Sequence, residues 1–551
     1  MSELDEIYVN FESPLVFAEN AAIGVVNGVI QFVETHPQGI SARKVVDCQG
    51  KTLLPGIDDS HLHAYEFGRT FINLDVSLSR CPNLDAIRAV LEDAEPQSNG
   101  WIIGSGWDGS HIVGTGSAGA VTAADLDEAR ADVPIFLSDI TGHQGWCNSL
   151  ALEIAGLKKF NVPDPAGGKL ARDEDGQPTG LIFEAAVKLI NAVIPDISRR
   201  ERCDAIIAAQ KSLLAQGIVS VTDPGLGPGA VSLMDGTGTF DAIHAYRDLD
   251  STRELLLRVN IMVLFGGLGG TSAKDVLEGL DAWGQPMRMP TYGHLGIDQL
   301  KIFADGIPRS RTAWMSDPYD DCTHGALQLA GDTDVEKIHQ LKTMVAGAAA
   351  KGWQIGLHTI GDRAINEVIH SIEEIEDPRH RNLRHYIIHG DFASDEDLIR
   401  MSNLGMSLNA NPSIRWFVGD SVVPVIGRER NSLRQRLRSA WDYGVNVCAS
   451  SDAPVSPPDW KVMVAAMITR SIKSDPQRTD NQKLSVIEAL KSVTENAAWQ
   501  SHSENWRGSL APGQAADFVL MDSRINWDDP WSLPDAHVQQ TVVGGIVAYS
   551  A

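Results

Sequence analysis

The sequence predicts an α/β protein built around a closed (β/α)8 barrel of the TIM type, and three observations lead there. Eight short apolar runs recur along the chain, each followed by a turn or polar cluster and then by a segment of helical periodicity. Several runs end on metal-competent or acid/base side chains, which is where such a barrel carries its chemistry. The chain has 551 residues, 43% hydrophobic and 21% charged, which is length enough for a large barrel and a smaller companion unit.

The expected barrel strands are Leu53 to Ser60, Gly217 to Thr222, Arg258 to Phe265, Gln299 to Ala304, Trp353 to His358, His385 to His389, Met406 to Ala410 and Val445 to Ser450. Helical segments fit between several of them; Val335 to Lys351 places Ile338, Leu341, Met344, Val345 and Ala348 at helical spacing. About 150 residues separate the first two strands, far more than a βα connection needs, so a large insertion is expected there, at about residues 65–210. It contains Gly106-Trp107-Asp108, the stretch Gly142-His143 to Asn148-Ser149, and a Gly/Pro-rich hairpin-like run from Pro163 to Gly180. Both chain ends read as sheet, with alternating segments at Ile23 to Ile30 and Asp517 to Met521 and an Asn27-Gly28 turn.

Composition narrows the function. A formal net charge of -26 argues against binding a phosphate backbone, so no nucleic-acid partner is expected. The six cysteines are scattered without a C-x-x-C pair, which fits a reducing compartment. The amino terminus lacks a basic start and apolar core, and no run of ~18 apolar residues occurs, so a cytoplasmic protein without a membrane partner is expected.

His61-Leu62-His63 follows the apolar run Thr52 to Ile57. Residues two apart on a strand point the same way, so both imidazoles can reach one cation, and such pairs suit zinc and its neighbours. A bare His-x-His also arises by chance, and the other ligands must come from elsewhere. Four more strand ends offer them: Lys301, His358, His389 and Asp452. Singly, Lys301 reads equally as a surface lysine, His358 as a core residue and Asp452 as a helix cap before Pro454. Their order along successive strands favours a shared metal site.

The chain resembles the amidohydrolase superfamily, and within it the amidohydrolase family 3 group that includes YtcJ-like proteins and N-substituted formamide deformylases. The resemblance spans nearly the whole length. It is carried by Leu54-Pro55-Gly56 leading into His61 and His63, Gly142-His143 to Asn148-Ser149, Gly167-Gly168, Gly176 to Gly180 with Glu184, and Lys301 to Gly306. It continues through His358 to Arg363, His389, Ser451 to Pro454, Thr494 to Ala498, and Gly508 to Gly513 with Ala516-Asp517.

The resemblance implies a small β-sandwich formed by both chain ends (1–56 and 508–551) beside a metal-dependent hydrolase barrel (57–507). It implies that His61 and His63 bind the more buried metal, His358 and His389 bind a second, and Asp452 ligates a metal while carrying the proton. Lys301 would bridge the metals as N6-carboxylysine, since an ammonium cannot coordinate a cation. Burial would supply the neutral amine that reacts with carbon dioxide. There are two departures: Ile387-Ile388 precedes His389 where many relatives carry a glutamate, and the loop Ile307 to Ala313 is less Gly- and Ser-rich than in the family.

The expected function is a metal-dependent amidohydrolase that cleaves an amide-type C–N bond of a small molecule by metal-activated hydroxide, with Asp452 as general base and then acid. Zinc is the default ion, one or two per chain; iron, manganese or cobalt would suit similar ligands. Two alternatives stand beside it: a mononuclear deaminase of the same superfamily that does without Lys301, and a non-catalytic metal- or ligand-binding protein on this scaffold. Trp107, His143 and Arg309 are the candidate substrate-binding residues. Tyr65, Phe67, Trp146, Trp314 and Trp416 are further aromatic candidates for the pocket, with Arg311 and Arg415 for a substrate carboxylate and Glu184 facing substrate or supporting the site. A homo-oligomer is compatible with the sequence.

Overall fold

In a computed structural model the residues described are 4–16, 20–35, 41–109, 111–140, 142, 144–158, 162–165, 168–233 and 236–551. Eight parallel strands form the central sheet in chain order: Ile57–Asp59, Ile218–Leu226, Arg258–Val263, Leu295–Phe303, Gln354–Thr359, Tyr386–His389, Ser407–Ala410 and Asn446–Ala449. Each is hydrogen-bonded to the next. Leu295–Phe303 shows why they read as continuous apolar runs: all of its residues are buried, since helices cover the outside and side chains fill the inside. Several of the helices between them start on side-chain caps, from Ser198, Ser272, Thr333 and Ser394. Asp334–Ala350, one residue earlier at each end than its periodicity predicts, opens on a capping box between Thr333 and Glu336.

The seam between the eighth and first strands closes through side chains and the loops beyond them. Ser60 Oγ donates to the carbonyl of Ala449 at 3.1 Å, and the amide of Ser451 donates to the Asp59 carboxylate at 3.1 Å. Just past the strand ends, the amide of Asp452 donates to His61 O and that of His63 to Ala453 O, both at 2.9 Å. These bonds bring residues almost 400 positions apart to one end of the barrel.

The expected first strand, Leu53 to Ser60, is in fact two strands in two sheets. Ala42–Pro55 runs antiparallel to Phe518–Met521, with Leu54 opposite Val519, and only Ile57–Asp59 enters the barrel. Gly56 makes the crossing, donating its amide to Asp517 O at 2.8 Å. A Cβ there would sit 2.4 Å from Cγ2 of Val219, so the two sheets approach too closely for a side chain. The second strand is longer than predicted, because it continues with a bulge through Asp223-Pro224-Gly225.

Strands from both chain ends join in one seven-stranded sheet: Leu4–Glu12, Ala21–Val26, Val29–Thr35 and Ala42–Pro55 with Phe518–Met521, Val538–Val543 and Ile546–Ser550. A buried two-point ion pair fastens it to the barrel, with Arg258 Nε and Nη2 at 2.7 and 2.8 Å from the Asp517 carboxylate. The long first connection folds into a six-stranded sheet running from Leu74–Asp75 to Pro178–Glu184, around its own core of Trp107, Trp146, Leu126 and Ile135. Among the described residues no helix is long and apolar enough to cross a membrane.

Candidate metal centre

His61 and His63 leave the first strand on the same side, while Leu62 between them is fully buried in the hydrophobic core. The seam bonds then place Asp452 against both imidazoles: its Oδ1 lies 3.3 Å from His61 Nε2 and 3.4 Å from His63 Nε2. One ligand atom from each of the three residues falls within 4.8 Å of the others. Asp452 reaches this position with φ of 59°, a left-handed conformation rare outside glycine and tolerated where the surroundings over-determine it.

The later strand ends complete the cluster. His358 and His389 come from neighbouring strands, with ring centroids 4.5 Å apart, and the His389 ring is 5.9 Å from that of His61. His389 also has a left-handed backbone, at φ of 70°. Lys301 is buried on the fourth strand, with its Nζ over the ring of Phe303 at 4.7 Å from the centroid. All six side chains line one cavity of about 520 Å³ at the carboxyl ends of the strands.

Burial sets the protonation states. It pushes the Lys301 ammonium down to about 7. It also holds His61 and His358 well below the ordinary histidine value and lowers His389, with the Lys301 charge adding to each shift. For Asp452 burial acts the other way, but hydrogen bonding to His61 and His63 outweighs it and keeps the carboxyl well below the usual range. The result is three neutral imidazoles around an ionised carboxylate. This donor set fits a divalent cation, since its ligands are already deprotonated and converge. Nδ1 of His61, the ring nitrogen that does not face Asp452, is buried without a hydrogen-bond partner.

Several supporting residues were not singled out as site residues from the sequence. Asp305 accepts from the amides of Trp314, Ile360 and Gly361 at 2.8 to 2.9 Å and so staples the fourth strand end to the loop after His358. Burial raises its carboxyl to about 7. Asn411 sits 2.6 Å from His389 Nδ1, and Asp59, likewise raised to about 7 by burial, bonds the amide of Ser451. Asp305 and Asn411 each stand at or just past a strand end, and that position is the signal that could have marked them.

The substrate-side candidates divide. Arg309 is exposed and lines the cavity, and Glu184 lines it with φ of 52°. Trp107 does not line it. Its ring is buried in the insertion core against Trp146, and its Nε1 donates to Leu137 O at 3.0 Å; the next residue, Asp108, borders the cavity instead. His143 lies outside the described residues, as does Gly167. Trp146 and Tyr65 are fully buried, and Trp416 packs on Trp531 at 3.8 Å between centroids. Arg311 pairs with Asp320, and Arg415 is buried against Arg470 O and Asp480. The apolar wall of the cavity comes from Leu233, Leu268, Phe303, Ile307, Ile414 and Phe417.

Residues 44–549 match the amidohydrolase family. The chain is 28% identical to YtcJ of Bacillus subtilis (strain 168) over 540 residues, covering 96% of each chain. It is 27% identical to the N-substituted formamide deformylase of Arthrobacter pascens over 561 residues, covering 99% of this chain and 98% of that one. In fold it matches a solved structure, an uncharacterized metal-dependent hydrolase from Pyrococcus horikoshii OT3, with a TM-score of 0.73 at 23% identity over 94% and 97% of the two chains. A match that begins in the strand leading to Gly56 and ends in the last strand of the terminal sheet takes in the whole barrel, and this chain belongs to the amidohydrolase family.

Proposed function

We propose that this protein is a metal-dependent hydrolase that cleaves an amide-type C–N bond of a small molecule, with Asp452 carrying the proton. The observation that carries the reading is the convergence of buried His61, His63 and Asp452 within 4.8 Å in the barrel-mouth cavity. His358 and His389 beside them support a place for a second ion. A bound divalent cation, zinc for this nitrogen-rich donor set, would polarise the substrate carbonyl and lower the pKa of water from ~16 to about 7. Asp452, ionised between two imidazoles, accepts the proton of the attacking water. It then returns that proton to the departing nitrogen, so one carboxylate serves as base and acid in turn. Exposed Arg309 at the rim binds a polar or anionic end of the substrate.

Lys301 is assigned as N6-carboxylysine. Its buried amine, pushed down to about 7, has a free electron pair to add to carbon dioxide; one proton leaves, and a carbamate oxygen donor takes the place of a cation. The domain division proposed alongside is a β-sandwich of 1–56 and 508–551 and a barrel of 57–507 carrying the insertion. Union of the two chain ends in one sheet supports it.

A mononuclear deaminase is the second reading, favoured by one observation: among the described residues only His61, His63 and Asp452 group as a metal-sized cluster. Metal counting by mass spectrometry on the purified chain separates the two. Two ions per chain with hydrolysis across an amide panel support the first reading, and one ion with ammonia release from an aminated ring supports the second. In either case Asp452→Asn should keep its metal and lose about 10²- to 10⁴-fold in turnover. Unchanged turnover removes Asp452 from its role.

A further inference from the structure

The polar groups beside His389 form a chain whose direction can be read bond by bond. Asn409 Nδ2 lies 2.9 Å from the carbonyl oxygen of Ser60. A carbonyl only accepts, so this end of the amide is the donor and Oδ1 is the acceptor. Ser450 Oγ therefore donates to Asn409 Oδ1, at 2.6 Å. Asn411 Nδ2 lies 3.3 Å from Ser450 O and 3.0 Å from Ser450 Oγ, which makes it a donor as well and leaves Asn411 Oδ1 as an acceptor. That oxygen is 2.6 Å from His389 Nδ1, a contact that requires the imidazole proton on Nδ1.

Burial makes the direction permanent. Ser60, Asn409, Asn411 and Ser450 are each 1% exposed or less, so water is not at hand to offer a substitute partner. The backbone places Asn411 for the task. It follows the seventh strand, Ser407–Ala410, directly, and precedes Pro412, which opens a helix; the Asn411 carbonyl is itself held by Gln435 Nε2 at 3.0 Å.

We propose that Asn411 is the positioning residue that locks His389 in its Nδ1–H tautomer and so presents Nε2 as the metal-binding nitrogen, with Ser450 and Asn409 carrying the direction of the lock from Ser60. The inference rests on the reading of His389 as a metal ligand. Without the lock, a ring flip or a proton shift to Nε2 would withdraw the lone pair from the cation.

The test uses the full chain with ¹⁵N-labelled histidine, free of metal and loaded with zinc. A long-range ¹⁵N–¹H correlation, with the His389 signal identified by its loss in His389→Asn, should show the proton on Nδ1. A proton on Nε2 in wild-type protein overturns the proposal, and this measurement needs no folded Asn411 variant. In chelator competition, Asn411→Leu should weaken zinc binding about 10- to 100-fold. Asn411→Asp, which keeps an acceptor for Nδ1–H, should recover most of that loss. Zinc affinity in Asn411→Leu equal to wild type overturns the proposal while leaving the metal site standing. Unchanged zinc affinity and stoichiometry in His389→Asn removes His389 as a ligand, and that outcome counts against the broader reading.

Discussion

Gly56 marks the passage of the chain from the terminal sheet into the barrel, and substituting it tests whether close approach of the two sheets or backbone freedom requires glycine there. In Gly56→Ala the new Cβ would stand 2.4 Å from Cγ2, 2.9 Å from Cγ1 and 3.2 Å from Cβ of Val219. Val219 is 2% exposed on a central barrel strand and cannot swing into solvent. Overpacking of this kind costs about 1–3 kcal/mol. Val219→Ala alone removes two buried methyl groups and costs about 2 kcal/mol. It also deletes both γ carbons that meet the new methyl, leaving only the 3.2 Å contact. Independent sites would sum to about 4 kcal/mol. The geometry predicts instead that the double variant loses only about 2 kcal/mol, because Val219→Ala removes the γ carbons that the new methyl would strike. Urea unfolding followed by fluorescence on the four proteins gives the coupling. Additive losses would refute the steric account of Gly56.

Three further outcomes follow from burial. Lys301 has an ordinary value of 10.5 in the unfolded chain and about 7 when folded, so between those pH values the unfolded state holds a proton that the folded state lacks. Stability of the metal-free protein should therefore rise with pH across that window, and Lys301→Met should abolish that part of the rise; parallel curves for the two proteins would disprove it. Arg258→Met strands the Asp517 carboxylate in the interior and should cost about 3–5 kcal/mol in urea unfolding; a loss below about 1 kcal/mol would show that the pair does not fasten the terminal sheet to the barrel. Trp107→Phe removes the hydrogen bond to Leu137 and should cost about 1 kcal/mol while leaving KM unchanged; a raised KM would return Trp107 to the substrate pocket.

The barrel strands and the places of the candidate site residues on them were readable because strands buried on both faces leave continuous apolar runs, and because the carboxyl ends of those runs fall at predictable places such as His358 and His389. The break at Gly56 was not readable. Leu53 to Ile57 is one apolar run locally, and its division depends on pairing with Val519 on one side and Ile218 on the other. Trp107 and Asp108 are adjacent, and which of them meets the cavity depends on which face the insertion sheet turns toward the barrel.

The sequence by itself therefore determined the residue types of the candidate site and their order along the strands, since both follow from periodicity and local chemistry. Only the tertiary structure decided which of those residues meet. His61, His63 and Asp452 converge because the barrel seam closes, Asn411 finds His389 at the end of the neighbouring strand, and Lys301 loses its ordinary basicity because the closed fold excludes water from its amine. Each of these depends on contacts between distant parts of the chain, which no local pattern encodes.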